Sequence, residues 1–279
     1  MRGPRNTKGT RMNRLRYLPR ILCPLLFFPI MVVGQEFQSG YYESFDHTRI
    51  HFEIEGTGQP VLMLHGFTGT GSEWKGKPVT DSLLAHGKQV ILVDLRGNGL
   101  SDQPESPEKY ADNAEARDLI GLMSYLGIQK YDAVGYSRGS IILASLLVRD
   151  PRIQKAVIGG MGADFTNPDW PRRVGFYQAL MHDTIPGYED FRKYIARKGL
   201  NPLVLAAQQK EQPSTSEEAL ANLNLPVLII CGREDQDNGK GTDLQALIPG
   251  SKFTEVPGTH NTARNSPEFA HEVVNFLDD

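Results

Sequence analysis

The feature that most constrains this 279-residue chain is a serine between two glycines, Gly135, Ser137 and Gly139. It separates Tyr131–Val134, an apolar segment typical of a buried strand, from the apolar segment Ser140–Val148, typical of a helix. A serine on so sharp a turn is held in a strained conformation, while small glycines let strand and helix pass closely. The turn lifts the serine hydroxyl clear of the sheet, beside a helix N-terminus. The pattern is common by chance, but this setting makes Ser137 a candidate nucleophile.

Short apolar segments alternate with helical patterns from residue 41 onward. The segments predict strands at 42–45, 50–54, 61–64, 90–93, 131–135, 155–159, 227–231 and 253–256. Helical patterns lie at about 78–86, 112–126, 138–149 and 267–277. The first two strands form a hairpin, and the others are apolar on both faces, as in a sheet covered by helices. We therefore expect an α/β fold with a mostly parallel, doubly wound sheet of eight strands.

One stretch interrupts this alternation. Residues 165–223, between the strands ending near Gly159 and starting at Val227, contain helix-like pieces and no convincing strand. They carry many large apolar side chains, including Trp170 and Phe176. An insertion of this size at one strand-helix junction predicts a helical lid over the C-terminal edge of the sheet.

The first 34 residues differ from the rest in composition. They contain seven basic residues and no acidic one, and Ile21–Val33 is an uncharged apolar run of 13 residues. Such a run is too short to span a bilayer as a helix, which needs ~20 residues, but it matches the apolar region of a signal peptide. We expect residues 1–34 to be a signal peptide or targeting segment cleaved before Gln35, and residues 35–279 to be exported to the periplasm or outside the cell. An uncleaved membrane anchor, an organellar leader and a start at Met12 are alternatives.

Charge and cysteine content exclude several classes of protein. The net charge of the chain is −3, but residues 35–279 contain 23 basic and 33 acidic residues, which gives no electrostatic basis for binding nucleic acid. With 39% hydrophobic and 23% charged residues, the chain is neither disordered nor fibrous. Cys231 is the single cysteine after residue 34, so no internal disulfide is possible there, and no Cys/His spacing is typical of a zinc site. We expect neither a metal nor a cofactor, and no stable membrane insertion after cleavage.

Polar groups follow the ends of several other predicted strands. His65, Gly66 and Phe67 follow the strand at 61–64, and a glycine-bearing loop there can offer a backbone N–H to an oxyanion. Asp235 and His260 each lie four residues beyond the end of a later strand. The chain order serine, aspartate, histidine is the nucleophile, acid and base order of one architecture and differs from the chymotrypsin-like and subtilisin-like orders.

Taken together, these motifs resemble the α/β-hydrolase superfamily. Its members carry His-Gly at the oxyanion loop, Asp-x-Arg-Gly-x-Gly-x-Ser after the fourth strand, Gly-x-Ser-x-Gly at the nucleophile, Gly-x-x-Asp after the seventh strand and a histidine after the eighth. The chain has all five in order, at 65–66, 94–101, 135–139, 232–235 and 260. The family cap lies between the sixth and seventh strands, like the predicted lid. Asn98 replaces a histidine often found in the second motif, and we expect it not to touch the chemistry.

The resemblance implies a role for each site residue. His260 would be the general base for Ser137, and Asp235 would orient the imidazole. The backbone N–H groups of Phe67 and Arg138 would form the oxyanion hole.

Rivals for these roles remain in the sequence. Asp164, just past the sixth strand, and Asp237 compete with Asp235 as the acid. His65 is interpreted as a hydrogen-bonding residue that shapes its loop. The Arg138 side chain would turn to solvent, pair with a carboxylate or grip an anionic part of the substrate.

The resemblance also narrows the activity. Ser137 stands where haloalkane dehalogenases and epoxide hydrolases carry aspartate, which leaves acyl chemistry. The leading hypothesis is a serine hydrolase of the carboxylesterase type, acting on a small to medium apolar acyl substrate through an acyl-enzyme. An aminopeptidase of the proline-iminopeptidase type, a C–C bond hydrolase and a receptor-like ligand-binding member with slow turnover are alternatives.

Overall fold

Eight strands form one sheet in this computed structural model, which describes residues 37–182 and 185–279 in addition to Met1 and Gly3. They are β1 (Gln38–Glu43), β2 (Arg49–Glu55), β3 (Pro60–Leu64), β4 (Gln89–Val93), β5 (Tyr131–Tyr136), β6 (Ile153–Gly159), β7 (Val227–Gly232) and β8 (Lys252–Val256). Their order across the sheet is β1-β2-β4-β3-β5-β6-β7-β8. β2 is antiparallel to β1 and β4, and the remaining pairs are parallel. The predicted fold class is confirmed.

Helices cover both faces of this sheet. The described residues form α1 (Pro78–Ala85), α2 (Ala114–Tyr125), α3 (Arg138–Leu147), α4 (Pro171–Met181), α5 (Glu189–Arg197), α6 (Pro202–Lys210), α7 (Glu217–Ala221), α8 (Gly241–Leu247) and α9 (Pro267–Asp278). Buried side chains of α2, α3 and α8 pack on one face of the sheet, and those of α1 and α9 on the other. Because both faces are covered, the central strands are mainly apolar, although β5 carries Asp132 and β6 carries Gln154 and Lys155.

The first strand and helix α8 differ most from the sequence prediction. The first strand spans Gln38–Glu43 rather than residues 42–45, and it ends at Glu43 because the Ser44 N–H bonds the Thr48 carbonyl at 2.9 Å and closes a turn. The short helix α8 was not predicted, since its seven residues include only Gly241 and Leu244 as buried positions. That is too few for a helical period to stand out.

Helices α4 to α7 lie between β6 and β7 in the chain and form the lid (residues 165–223). The described residues of the lid contain no strand, as predicted. Leu180, Ile195 and Leu205 are buried together in a small apolar core of their own. Phe67, in the loop after β3, packs against this core and so links the lid to the carboxyl ends of the strands.

The predicted leader lies outside the residues that the structure describes, and export stays a prediction. Among the described residues, no helix combines the length and apolar character needed to span a membrane.

Candidate active site

Ser137 occupies the sharp turn that joins β5 to α3. Its backbone has φ 55° and ψ −125°, a strained region for a side chain other than glycine, and its N–H bonds the Gly159 carbonyl at 2.9 Å. A Cβ on Gly135 would lie 2.6 Å from the Gly139 carbonyl oxygen, and one on Gly139 would lie 2.4 Å from the Leu64 carbonyl oxygen. Only glycine allows the backbones to approach this closely, which explains why residues 135 and 139 are glycines.

Ser137, His260 and Asp235 form one hydrogen-bonded chain. The distance from Ser137 Oγ to His260 Nε2 is 2.9 Å, and that from His260 Nδ1 to Asp235 Oδ2 is 2.8 Å. A carboxylate only accepts, so Nδ1 carries the proton and Nε2 is free to accept from the serine hydroxyl. The Asp235 side chain is 4% exposed, and its other oxygen accepts the Asp237 N–H at 3.2 Å. The arrangement can remove a proton from Ser137 and hold the resulting imidazolium.

Neither rival acid bonds the imidazole among the described residues. Asp237 is exposed and makes no side-chain hydrogen bond to His260 in the described part of the chain. The Asp164 carboxyl group lies against Gly239, whose added Cβ would meet it at 2.9 Å. Of the three candidates, the structure brings Asp235 to the imidazole.

Tyr136 also holds His260, a contact that no sequence signal indicated. Its hydroxyl donates to the His260 carbonyl at 2.7 Å, and the two rings lie 5.4 Å apart. The residue before the nucleophile therefore fixes the backbone of the base.

Phe67 and Arg138 line the same cavity as Ser137. Neither of their backbone N–H groups donates to another group among the hydrogen bonds of residues 37–182 and 185–279. A Cβ on Gly66 would lie 3.8 Å from Ser137 Oγ, so the loop after β3 runs directly past the nucleophile. Unpaired donors in this position can bind an oxygen that gains negative charge.

His65 and Asn98 hold the loop at residues 65–69. His65 Nδ1 donates to the Gly66 carbonyl at 2.7 Å, and its Nε2 accepts from the Leu95 N–H at 3.1 Å. Burial lowers the pKa of His65, which keeps the imidazole neutral. The predicted structural role of His65 agrees with these bonds.

Asn98 has a part that the sequence analysis did not foresee. Its Nδ2 donates to the carbonyls of Phe67 at 2.9 Å and Gly69 at 3.1 Å. Asn98 therefore contacts the loop that carries a predicted oxyanion donor. Its place in a motif next to the site was the available signal.

Arg138 directs its side chain away from the nucleophile. The guanidinium forms two hydrogen bonds with Glu115 of α2, at 2.6 and 2.8 Å, and both side chains are less than 5% exposed. Of the alternatives from the sequence, the structure shows the carboxylate pair.

The cavity beside Ser137 has a volume of about 500 Å³. Aromatic side chains form one part of its lining: Phe67, Trp170, Phe176, Phe191 and Tyr194. Amide side chains from the lid and from the loop after β7 form another: Gln209, Gln212 and Asn238. The lid thus supplies seven of the 21 residues that line the cavity, and these are both aromatic and polar.

Ligand atoms of Asp235, Asp237 and His260 lie within 4.8 Å of one another, the one such cluster of His, Cys, Asp and Glu found among the described residues. Two of its three members, Asp235 and His260, are already hydrogen-bonded to each other in the series that leads to Ser137, and Asp237 is exposed. Burial raises the pKa of the Cys231 thiol to about 11, and the thiol stays protonated and a poor nucleophile.

A strained serine is hydrogen-bonded to a histidine, and the histidine to an aspartate, at the carboxyl edge of a doubly wound sheet. This combination defines a hydrolase of the α/β type. A family model described as "alpha/beta hydrolase fold" matches residues 59–188. The chain belongs to the α/β-hydrolase superfamily.

Individual relatives carry different names. Epoxide hydrolase 3 of Siraitia grosvenorii is 34% identical over 137 residues, or 48% of this chain and 42% of that protein. A 2-hydroxymuconate semialdehyde hydrolase from Pseudomonas is 26% identical over 67% of this chain and 74% of that protein. The chain spans about two fifths of the length of the epoxide hydrolase and of two further curated relatives. A solved bromoperoxidase from Bacillus anthracis has a TM-score of 0.71 and 25% identity, covering 87% of this chain and all of that one.

Proposed function

We propose that this hydrolase cleaves carboxylic esters through an acyl-enzyme on Ser137. The observation that carries the proposal is the 2.9 Å contact between Ser137 Oγ and His260 Nε2, in a cavity also lined by Phe67 and Arg138, whose backbone N–H groups have no partner among the described residues. A nucleophile bonded to its base, a base bonded to its orienting acid, and donors for an oxyanion are the parts that acyl transfer requires.

Acylation follows from this geometry. Ser137 Oγ attacks the ester carbonyl carbon while its proton moves to His260 Nε2, and the carbonyl π electrons move to oxygen. The oxyanion accepts hydrogen bonds from the backbone N–H groups of Phe67 and Arg138, and each donor stabilises the transition state by roughly 3 kcal/mol. The tetrahedral intermediate collapses, the bond to the alkoxy oxygen breaks, and His260 returns the proton to the departing alcohol. Water then repeats the steps on the acyl-enzyme, with His260 again as the base.

The cavity indicates the size and character of the substrate. About 500 Å³ lies within the range of sites for small molecules, and the aromatic wall suits an apolar acyl group. The amides of Gln209 and Gln212 are available to a polar group at one end of such a substrate. We therefore propose a small to medium substrate that is apolar along most of its length.

A panel of nitrophenyl esters with acyl chains of two to twelve carbons tests the function. Ser137→Ala should lower kcat by at least ~10⁴ and abolish labelling by a fluorophosphonate, because the nucleophile is lost. Ser82→Ala is the matched control, since the Ser82 side chain on α1 makes no hydrogen bond among the described residues. Turnover of the esters by Ser137→Ala at the rate of the unsubstituted protein would exclude the proposed nucleophile. The panel extended to aminoacyl amides and vinylogous diketones tests peptidase and C–C bond cleavage.

A further inference from the structure

Gln208 of the lid helix α6 reaches the carboxyl edge of the sheet. Its side chain is fully buried, and Nε2 donates to the Arg96 carbonyl at 2.9 Å and to Asn98 Oδ1 at 2.6 Å. Asn98, which is 4% exposed, in turn donates from its Nδ2 to the Phe67 carbonyl. A continuous chain of hydrogen bonds therefore runs from the lid to the loop that carries a proposed oxyanion donor.

The backbone carbonyls at the two ends of this series of hydrogen bonds determine which way each amide group points. Asn98 Nδ2 faces two backbone carbonyls, so its Oδ1 must face Gln208. Gln208 then faces two acceptors, Asn98 Oδ1 and the Arg96 carbonyl, and must present its NH₂ group. Reversing either amide would set acceptor against acceptor in a buried place. Hydrogen bonds aligned in this way polarise one another, which favours one rigid arrangement.

The backbone makes room for the contact at Gly97. This residue has φ +85°, and an added Cβ would lie 2.4 Å from Gln208 Nε2. Only a glycine lets the lid amide approach so closely.

Helix α6 also lies near the second oxyanion donor. The backbone carbonyl of Gln208 is 3.5 Å from Nη2 of Arg138, whose own N–H is the other proposed donor. The Phe67 ring lies 5.9 Å from that of Phe176 and 6.3 Å from that of Phe191, both of the lid. The lid therefore contacts the Phe67 loop through aromatic rings as well as through hydrogen bonds.

We propose that Gln208 and Asn98 are positioning residues that set the oxyanion loop, so that the oxyanion hole is complete only while helix α6 is docked. This inference rests on the proposed acyl chemistry and adds a role for the lid beyond forming the cavity. The lid amide acts through Asn98 on the position of the Phe67 N–H, and it touches no reacting atom. A misplacement of such a donor by about 1 Å can cost on the order of 10²-fold in rate.

The test replaces Gln208 by methionine, which keeps the volume and removes the donor. Gln178→Met, on the half-buried face of lid helix α4, is the matched control because the Gln178 side chain makes no hydrogen bond among the described residues. Rates per active site, titrated with a fluorophosphonate, remove any effect of partial folding. We expect Gln208→Met to lower kcat by about tenfold or more and to change KM by less than about threefold.

An alkyl boronic acid provides a second measurement. Ser137 Oγ adds to boron and gives a tetrahedral adduct with an oxygen in the oxyanion hole, so its Kd should rise about as much as kcat falls. A merely structural role for Gln208 would lower Tm and leave titrated kcat and boronate Kd at the values of Gln178→Met. That result would overturn the inference.

A second variant covers the case in which Gln208→Met does not fold. Gln208→Asn keeps a buried amide but is shorter by one methylene, so it cannot bond both Arg96 and Asn98 in place. The same fall in titrated kcat supports the inference, and a kcat equal to that of the unsubstituted protein contradicts it. If the unsubstituted protein is not labelled by the fluorophosphonate, the proposed function fails instead, so the two failures are distinguishable.

Discussion

The two sides of the cavity are built by different physical means. On the sheet side, Ser137, Asp235 and His260 stand one to four residues beyond the ends of β5, β7 and β8, where buried parallel strands and a strained turn place them. On the lid side, Gln208 lies in the last turn of helix α6 and contacts the sheet side through its side-chain amide and its backbone carbonyl. A residue that a sheet positions lies at a recognisable spacing after a strand in the sequence. A residue that is positioned by docking of side chains has no such spacing.

The largest effect should come from the sheet side, at the acid. Asp235→Asn removes the carboxylate that holds His260 in its Nδ1–H tautomer, so kcat should fall on the order of 10⁴-fold. Asp164→Asn is the matched control, because its carboxyl group lies against Gly239 and not against the imidazole. Kinetics on a short nitrophenyl ester measure both variants. A larger loss of kcat in Asp164→Asn than in Asp235→Asn would show that Asp235 is not the acid that orients His260.

Where the two sides meet, the prediction concerns stability. Glu115→Gln leaves the Arg138 guanidinium buried without its anion, and removing one partner of a buried pair typically costs about 3–5 kcal/mol of the free energy of unfolding. The exposed pair of Lys193 and Asp190 in the lid supplies the control, and Asp190→Asn should leave stability unchanged. Urea unfolding measures both. Equal stability of the two variants would mean that water, not Glu115, satisfies Arg138.

These contrasts explain how far the sequence could predict the molecule. All eight strands, and four of the five helices that cover the sheet, have apolar patterns that reflect their burial, and they were predicted to within a few residues. The placement of Ser137, Asp235 and His260 followed from strand ends. One local rule, that a polar residue after a buried strand lies at the carboxyl edge, brings them to the site, but it does not separate Asp235 from its rivals Asp164 and Asp237.

The parts that escaped prediction depend on pairs distant in the chain. Arg138 and Glu115 are 23 residues apart, and Asn98 and Gln208 are 110 apart. No periodicity links such partners, because their meeting depends on how helices α2 and α6 dock. Asn98 was expected not to touch the chemistry for the same reason: its partner in the lid has no signature of its own. The aromatic residues of the lid could be recognised as apolar, but not sorted between the lid core and the cavity.

The smallest expected effect lies at His65, which holds the oxyanion loop from the sheet side. Burial lowers the pKa of His65 in the folded protein, whereas in the unfolded chain it is near ~6.5. Below that pH the unfolded state takes up a proton that the folded state refuses, so the free energy of unfolding falls as the pH falls. Between pH 7.5 and 5.5 the loss from this one group reaches at most about 1.4 kcal/mol, the limit for a folded state that binds no proton at His65.

Replacing this histidine isolates its contribution from that of the carboxylates. His65→Gln keeps a donor and an acceptor for Gly66 and Leu95 but does not titrate, so its stability should fall less over this interval than that of the unsubstituted protein. His271→Gln, exposed on α9, should behave like the unsubstituted protein. Urea unfolding at the two pH values measures all three. If His65→Gln shows the full pH dependence, the folded protein accepts the proton at His65, and the loop must then tolerate an imidazolium facing the Leu95 N–H. The sheet side would in that case be as adaptable as the lid, and the contrast between them would rest on the strained turn at Ser137 alone.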